Sequence, residues 1–258
     1  MTTTHTDPLV HSVTAHGVAT ITLDSPHNRN ALSAQLRSQL HTQLDGALED
    51  DAARIVVLTH TGPTFCAGAD LKETRGADPS AAADELAGVL LTMMTASKPI
   101  VASISGPARA GGIGLLASCD FVVADPAATF AFSEVRIGVI PSIISVPLKQ
   151  VVSRADLRRL FLTGAVFDAH HALRIGLVSH LTDDAPVDTA TSKLVDALLH
   201  GAPQALAGAK AITRSSEIEL AEQLDQMKRL TTQFFSSADA QEGMRAFAEK
   251  RAPSWATK

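Results

Sequence analysis

Two hydrophobic periods alternate along this chain and predict most of its elements. Residues 18–23 (VATITL) alternate apolar and polar side chains and are rich in β-branched residues, the pattern of a strand. From Ser33, a capping residue, Leu36, Leu40, Leu44 and Leu48 recur every four positions, so a helix starts there with one buried face. Residues 55–59 (IVVLT) form a continuous apolar run closed by Gly62 and Pro63, as expected of a strand covered on both faces. A helix is predicted over about 80–96, with its boundary set by Lys98-Pro99. Beyond it, residues 99–105, 121–125, 129–132 and 177–181 read as strands, and residues 112–119, 143–152, 155–163 and 168–176 as short helices. Pro203 to Lys250 reads as helical throughout, with Leu220, Leu224 and Met227 on one face.

Strands interleaved with helices predict an α/β core over residues 1–200, followed by a C-terminal helical region over 201–258. That region has few partners within its own span, so it must pack on the core or on a neighbouring subunit, a mild argument for an oligomer. No period of 20–50 residues marks a solenoid.

The 258 residues carry 27 acidic and 22 basic side chains, a net charge of −5, which argues against a nucleic-acid partner. The 2 cysteines, Cys66 and Cys119, lack CxxC spacing, so neither a disulfide framework nor a zinc site is expected and a reducing cytoplasm is the default. The 10 histidines are dispersed, and His170-His171 lacks ligand spacing, so no metal is expected. Met1 to Val10 has no cation and no apolar core of a secretory signal. The longest apolar stretch, Leu86 to Ser97, falls short of the roughly 20 residues of a membrane span, so no membrane partner is expected. There is no tyrosine and only one tryptophan, Trp255, which removes phenol chemistry and weakens any proposal of stacking on bases.

Two loops place small residues between a buried strand and a helix start: Phe65-Cys66-Ala67-Gly68-Ala69-Asp70-Leu71-Lys72, and residues 106–114 (GPARAGGIG). Each reads either as a tight turn or as a cradle in which a ligand approaches backbone N–H groups. No GxxxxGK[ST] occurs, so a P-loop is excluded. Residues 112–117 match GxGxxA and Glu134 lies 20 residues after Gly114, imitating a dinucleotide fingerprint. Context opposes that: several loop residues separate the strand from Gly112, and another strand precedes Glu134. Two convergent N–H groups suit a thioester carbonyl and the enolate that forms when its α-carbon loses a proton.

Over most of its length the chain resembles the crotonase (enoyl-CoA hydratase/isomerase) superfamily. The similar segments are FCAGADLKE, SGPARAGGIGLLASCDFVVA, FSEVRIGVIPS, RNALS at 29–33, LTG at 162–164, ALRIGLVSH at 172–180 and AFAEKRAPSW near the end. The resemblance implies a crotonase-like spiral of β-β-α units, a coenzyme A thioester as substrate with no separate cofactor, and a homotrimer or dimer of trimers. It implies an oxyanion hole from the amides of Ala67 and Gly111, the latter aided by a helix dipole, with Glu134 as the acid–base residue. Asn30, Ala31, Leu32, Cys66, Gly68, Ala69, Asp70, Leu71, Gly112, Gly114 and Pro141 would line the substrate site, and Lys250 and Arg251 would reach its phosphates.

One position departs from the family pattern. Hydratases of the family carry a glutamate in a GGGxE-like segment, and here that position is Gly114. Water addition across a double bond is a task two carboxylates share readily, whereas one carboxylate suits moving a proton between carbons. Hydratase being the commonest activity of the family, the resemblance still implies first an enoyl-CoA hydratase in fatty-acid or branched-chain acyl-CoA breakdown. A Δ3,Δ2-enoyl-CoA isomerase (or another single-glutamate reaction) is the alternative, and a non-catalytic acyl-CoA-binding subunit the reading from another class. Gly114 is expected to leave room for a branched acyl group. Ser118 and Cys119 lie too deep to replace the lost carboxylate, and Glu73 reads as a solvated acid at a helix start. Arg109 either meets a substrate carboxylate or faces solvent, and Arg136 reads as structural.

Overall fold

The computed structural model describes residues 8–73, 79–182 and 185–256. Nine strands are defined among them: β1 (Val10–Ala15), β2 (Val18–Leu23), β3 (Ile55–His60), β4 (Ile100–Ile104), β5 (Ala108–Arg109), β6 (Phe121–Ala124), β7 (Thr129–Ala131), β8 (Phe167–Asp168) and β9 (His180–Leu181). Six form one sheet in the order β1-β2-β3-β4-β6-β9, with only the β1–β2 pair antiparallel. That pair closes through His16 and Gly17, both at positive φ (51° and 82°), the geometry of a two-residue hairpin turn. The other three strands form a small second sheet, β5-β7-β8.

Ten helices surround these strands: α1 (Ala34–Glu49), α2 (Pro79–Thr95), α3 (Gly111–Ala117), α4 (Ser145–Val151), α5 (Arg154–Thr163), α6 (Ala169–Arg174), α7 (Val187–Leu199), α8 (Pro203–Ile212), α9 (Glu217–Phe235) and α10 (Ala238–Ala248). Ser33 caps α1 as its sequence suggests, accepting the Leu36 N–H, and Leu36, Leu40 and Leu44 are buried. They join Ile21, Leu23, Val56, Leu58, Leu90 and Met93 in the main core on one face of the large sheet. The other face, Ile55, Val57, Val101 and Val123, is covered by Val195 and Leu198 of α7. The unbroken apolar run of β3 is thus buried from both sides, the physical reason for its composition.

The α/β architecture follows the sequence pattern, with three differences. The hairpin strand β1 is an edge whose outer half is exposed, so its residues 13–15 carry no hydrophobic alternation. Helix α7 interleaves its apolar stripe with Thr and Asp, and only that stripe is needed to cover the sheet. The tail is three helices instead of one unbroken pattern, and serines before α9 and α10 cap each new start. Ser216 forms a reciprocal capping box with Glu219, and Ser237 accepts the Ala240 N–H.

The tail positions the core's functional loops. Leu220 and Leu224 of α9 are buried, with Met227 packed beside them, and α9 lies on α2 and α4. Helix α10 lies on a 3-10 turn over Glu134–Ile137: Gly243 packs on the Ile137 backbone and Gly138 on that of Asp239, with no space for a side chain at either glycine. Among the described residues, no helix is long and apolar enough to cross a membrane.

Lys210 of α8 fastens this region to the sheet. Its Nζ lies 2.7 Å from Asp120 Oδ2 and 3.2 Å from the Lys98 carbonyl, and Asp120 Oδ2 also accepts the Ile100 N–H at 2.7 Å. Removing one partner of such an enclosed pair strands the other charge. Lys210→Met is expected to cost about 3 kcal/mol in urea denaturation, with much of it recovered by adding Asp120→Asn. Full additivity of the two substitutions would contradict this coupling.

Candidate active site

The two glycine-bearing loops are fastened side by side through their backbones. Phe65 donates its N–H to the Pro107 carbonyl at 3.0 Å, and Arg109 donates to the Cys66 carbonyl at 2.9 Å, around a bridge between Cys66 and Ala108. Small residues permit this contact. A Cβ on Gly68 would lie 3.0 Å from Ala110 Cβ, and one on Gly112 would lie 2.7 Å from Cys66 Cβ. Gly106 is similarly closed against the Pro63 carbonyl. Ala110 adopts φ 47°, which a non-glycine residue rarely does, as the chain turns from β5 into α3.

Within this frame the donor expected at Ala67 is already used: its N–H bonds the Arg29 carbonyl at 3.0 Å. Gly68, at φ 87°, then redirects the chain. The Leu32 N–H reaches the Gly68 carbonyl at 2.8 Å, within a parallel bridge pairing Leu32 with Ala69. Alternation in such a bridge turns the Ala69 N–H away from Leu32. Ala69 is exposed, and no described residue accepts its N–H. Gly111, the first residue of α3, likewise has no described acceptor for its N–H. Ala69 and Gly111 are therefore among the loop amides without a described acceptor, whereas the Ala67 N–H, expected as a donor, is taken by Arg29. The resemblance pointed to Ala67 for this role; the Arg29 carbonyl is what separates its N–H from that of Ala69.

Glu134 reaches the same region through the small sheet. Arg109 of β5 pairs with Ala131 of β7, and the Ala131 carbonyl accepts the Ala110 N–H at 3.2 Å, three residues before Glu134. Glu134 is 9% exposed, and its Oε2 has no hydrogen-bond partner among the described residues. Burial pushes its pKa up to about 7, against the weaker opposing effect of its own backbone N–H. A buried carboxyl near neutral pKa with one oxygen unpartnered can accept or donate a proton.

Gly114 is not a vacancy. A Cβ there would lie 2.5 Å from Ile144 Cγ2 and 3.0 Å from Ile144 Cβ, so Ile144 fills the space. The room expected for a branched acyl group is absent at this point. Ser118 and Cys119 lie buried in the helix end, bonded to the Gly114 and Leu115 carbonyls, and burial raises the Cys119 thiol.

Several expected contact residues act as framework. The fully buried Asn30 accepts the Ser25 N–H at 2.6 Å and donates to the Thr61 and Thr64 carbonyls, so its side chain has no free donor or acceptor atom to offer a ligand. Cys66 is buried against Gly112, and burial pushes its thiol up to about 12. Ala31 and Leu32 are buried, with Leu32 Cδ1 facing Gly111, and Pro141 is enclosed in the chain leading to α4. Asp70 and Leu71 sit at the half-buried edge, and Asp70 Oδ1 accepts the Lys72 N–H at 3.0 Å. Glu73 accepts the Ala34 N–H at 2.8 Å, serving the start of α1.

The arginines have structural partners. Arg109 donates to the Ala108 and Thr129 carbonyls and to Thr129 Oγ1, satisfying neither the solvent nor the substrate reading. Arg136 donates to the Gly164 and Thr163 carbonyls at the end of α5, a structural role as expected. Arg251, expected at the phosphates, is held by Glu242 at 2.7 and 3.0 Å and by Glu249 at 2.6 Å. Among the described residues, no group of three His, Cys, Asp or Glu side chains is placed to hold a metal ion.

Comparison with known proteins agrees with this architecture. The sequence profile of the family described as Enoyl-CoA hydratase/isomerase matches residues 13–258. A Rhizobium meliloti protein named "Probable enoyl-CoA hydratase" is 37% identical, over 91% of this chain and 92% of its own. A Mycosarcoma maydis protein named enoyl-CoA isomerase/hydratase is 30% identical, over 92% of each. The crystal structure of an enoyl-CoA hydratase from Mycobacterium avium superposes with a TM-score of 0.88 at 42% identity, covering 97% of this chain and 100% of that one. The chain belongs to the enoyl-CoA hydratase/isomerase family, the crotonase superfamily.

Proposed function

We propose that the chain acts on an enoyl-CoA thioester through an enolate, with Glu134 as the only carboxylate that moves a proton at the reacting carbons. The thioester carbonyl accepts the N–H groups of Ala69 and Gly111, and negative charge developing on that oxygen strengthens both bonds. Glu134 takes a proton from one carbon and returns it at another. The observation that carries this reading is Glu134 itself: 9% exposed, without a partner on Oε2 among the described residues, and pushed by burial to a pKa of about 7. A pure binding subunit gains nothing from that burial cost.

Isomerisation of a 3-enoyl-CoA to the conjugated 2-enoyl-CoA is the reaction this geometry supports best. It needs one proton carrier, and Ile144 fills the position where a second carboxylate would stand. Hydration of a 2-enoyl-CoA is the second reading, favoured by the hydratase names of relatives such as the Rhizobium meliloti protein. Supplying each substrate and following absorbance of the conjugated thioester separates them. A signal rising from the 3-enoyl substrate supports isomerisation, and one falling from the 2-enoyl substrate supports hydration. If neither moves, enolate chemistry on these substrates fails.

Glu134→Gln is expected to lower kcat by roughly 100-fold or more. Where deprotonated Glu134 begins the reaction, wild-type kcat should rise with pH through about 7. Stability should run the other way. The folded carboxyl binds its proton more tightly than the unfolded one, so stability falls as pH rises from about 4.5 through about 7. Glu134→Gln should therefore gain up to about 3 kcal/mol on wild type between pH 4 and pH 8, read by denaturation at each pH. A pH-independent difference would refute the buried-acid assignment.

Ile144 supplies a further prediction. Gly114→Glu alone should overpack the site, costing about 1–3 kcal/mol or more and adding no hydratase activity. Combined with Ile144→Ala, the new carboxylate has space, and hydration of the 2-enoyl substrate should increase. Full hydratase gain from Gly114→Glu alone would show that Ile144 does not control the position.

A further inference from the structure

His60 ends β3, and Ser105 directly follows the neighbouring parallel strand β4, so the two catalytic loops leave the sheet from the same edge. The His60 ring joins their starting points. Its Nε2 accepts the Ser105 N–H at 3.1 Å and lies 3.3 Å from Ser105 Oγ. Its Nδ1 lies 3.4 Å from the Thr61 carbonyl, and the ring stands edge-on to Phe65 with centroids 5.7 Å apart. A backbone amide can only donate, so Nε2 must be unprotonated and the ring proton sits on Nδ1, facing the Thr61 carbonyl. The surroundings specify one neutral tautomer.

From this contact the loops are joined rung by rung. Gly106 closes on Pro63, Phe65 donates to Pro107, Arg109 donates to Cys66, and Gly68 meets Ala110. The series ends beside Ala69 and Gly111. We propose that the neutral His60 imidazole is a positioning residue: it holds the Ala69 loop against the Gly111 loop and so fixes the spacing of the two oxyanion donors. The kinetic part of this inference rests on the enoyl-CoA reading above.

Protonation reverses the contact, because an imidazolium carries N–H on both nitrogens and Nε2 would then face the Ser105 N–H donor to donor. Ser105 Oγ can accept from the imidazolium, but it does not restore the backbone link. Burial holds the His60 pKa below its ordinary value, keeping the ring neutral near pH 7. The charged group acting on it from the packed helices is Asp188 of α7, which pulls the other way.

Two variants test the link. His60→Gln supplies a non-titrating acceptor at the reach of Nε2, and His60→Leu fills the space without one. At pH 8, His60→Leu should lose about 10- to 100-fold in kcat with KM within threefold, and His60→Gln should recover most of it. A Leu variant within twofold of wild-type kcat, or a Gln variant that recovers none of the loss, overturns the proposal. If wild type turns over neither enoyl-CoA, the functional reading fails and two further readouts still decide the link. Nitrogen NMR of His60 should report the Nδ1–H tautomer, and the amides of Ser105, Phe65 and Arg109 should exchange faster in His60→Leu than in wild type or His60→Gln. A different tautomer, or unchanged exchange, overturns it independently of any activity.

Discussion

Everything the candidate site can do depends on how closely two backbone segments approach each other. Residues 65–69 and 106–112 exchange main-chain hydrogen bonds, with glycines where a Cβ would collide. Backbone donors are cheap to aim once the chain is fixed, because they lose no side-chain entropy and cannot change rotamer. Fixing the chain is the expensive part. Ala110 at φ 47° is one local cost, of about 1–3 kcal/mol, sustained by the bonds on either side. A site built this way tolerates little change at the contact glycines and more at exposed positions such as Ala69.

Glu134 presents the complementary problem, a side chain whose environment must work against its ionisation. Its enclosure comes from elements distant in sequence. Helix α10 closes over its 3-10 turn through Gly138 and Gly243, and Ser142, a few residues further on, bonds Thr231 of α9 at 2.5 Å. The tail that reads from sequence only as an amphipathic region thus takes part in setting the acid's burial. Stability and proton transfer are coupled here: burial that destabilises the ionised protein also brings the carboxyl near neutrality.

Much of this was legible in the sequence, and the failures share a cause. Periodicity located α1, β3 and the buried face of α9, because those elements bury a regular stripe. It missed β1, whose outward half carries no alternation, and α7, whose stripe is diluted by small polar residues. Motif order led to both loops and to Glu134, which the fold brings to one region, and it named the Ala67 amide, which the fold bonds to Arg29 while Ala69 has no described acceptor. The deciding atom is the carbonyl of Arg29, nearly forty positions earlier, which no local pattern encodes. Asn30 is a similar case: its neighbours suggested a ligand contact, and its side-chain amide is engaged by Ser25, Thr61 and Thr64.

Gly114 shows why a missing group does not amount to a cavity. Cores pack to a density at which deleted volume is refilled by neighbours, so a glycine at a functional position means contact with something else. Here that is Ile144, on the chain that also carries Glu134, ten residues later. One segment therefore carries Glu134 and also fills the space beside Gly114. With no phenol in the sequence and both thiols buried, the proposed chemistry rests on main-chain donors and Glu134. On the reading proposed above, such a site relocates a proton along an acyl chain, because water addition draws on a second group to orient the nucleophile.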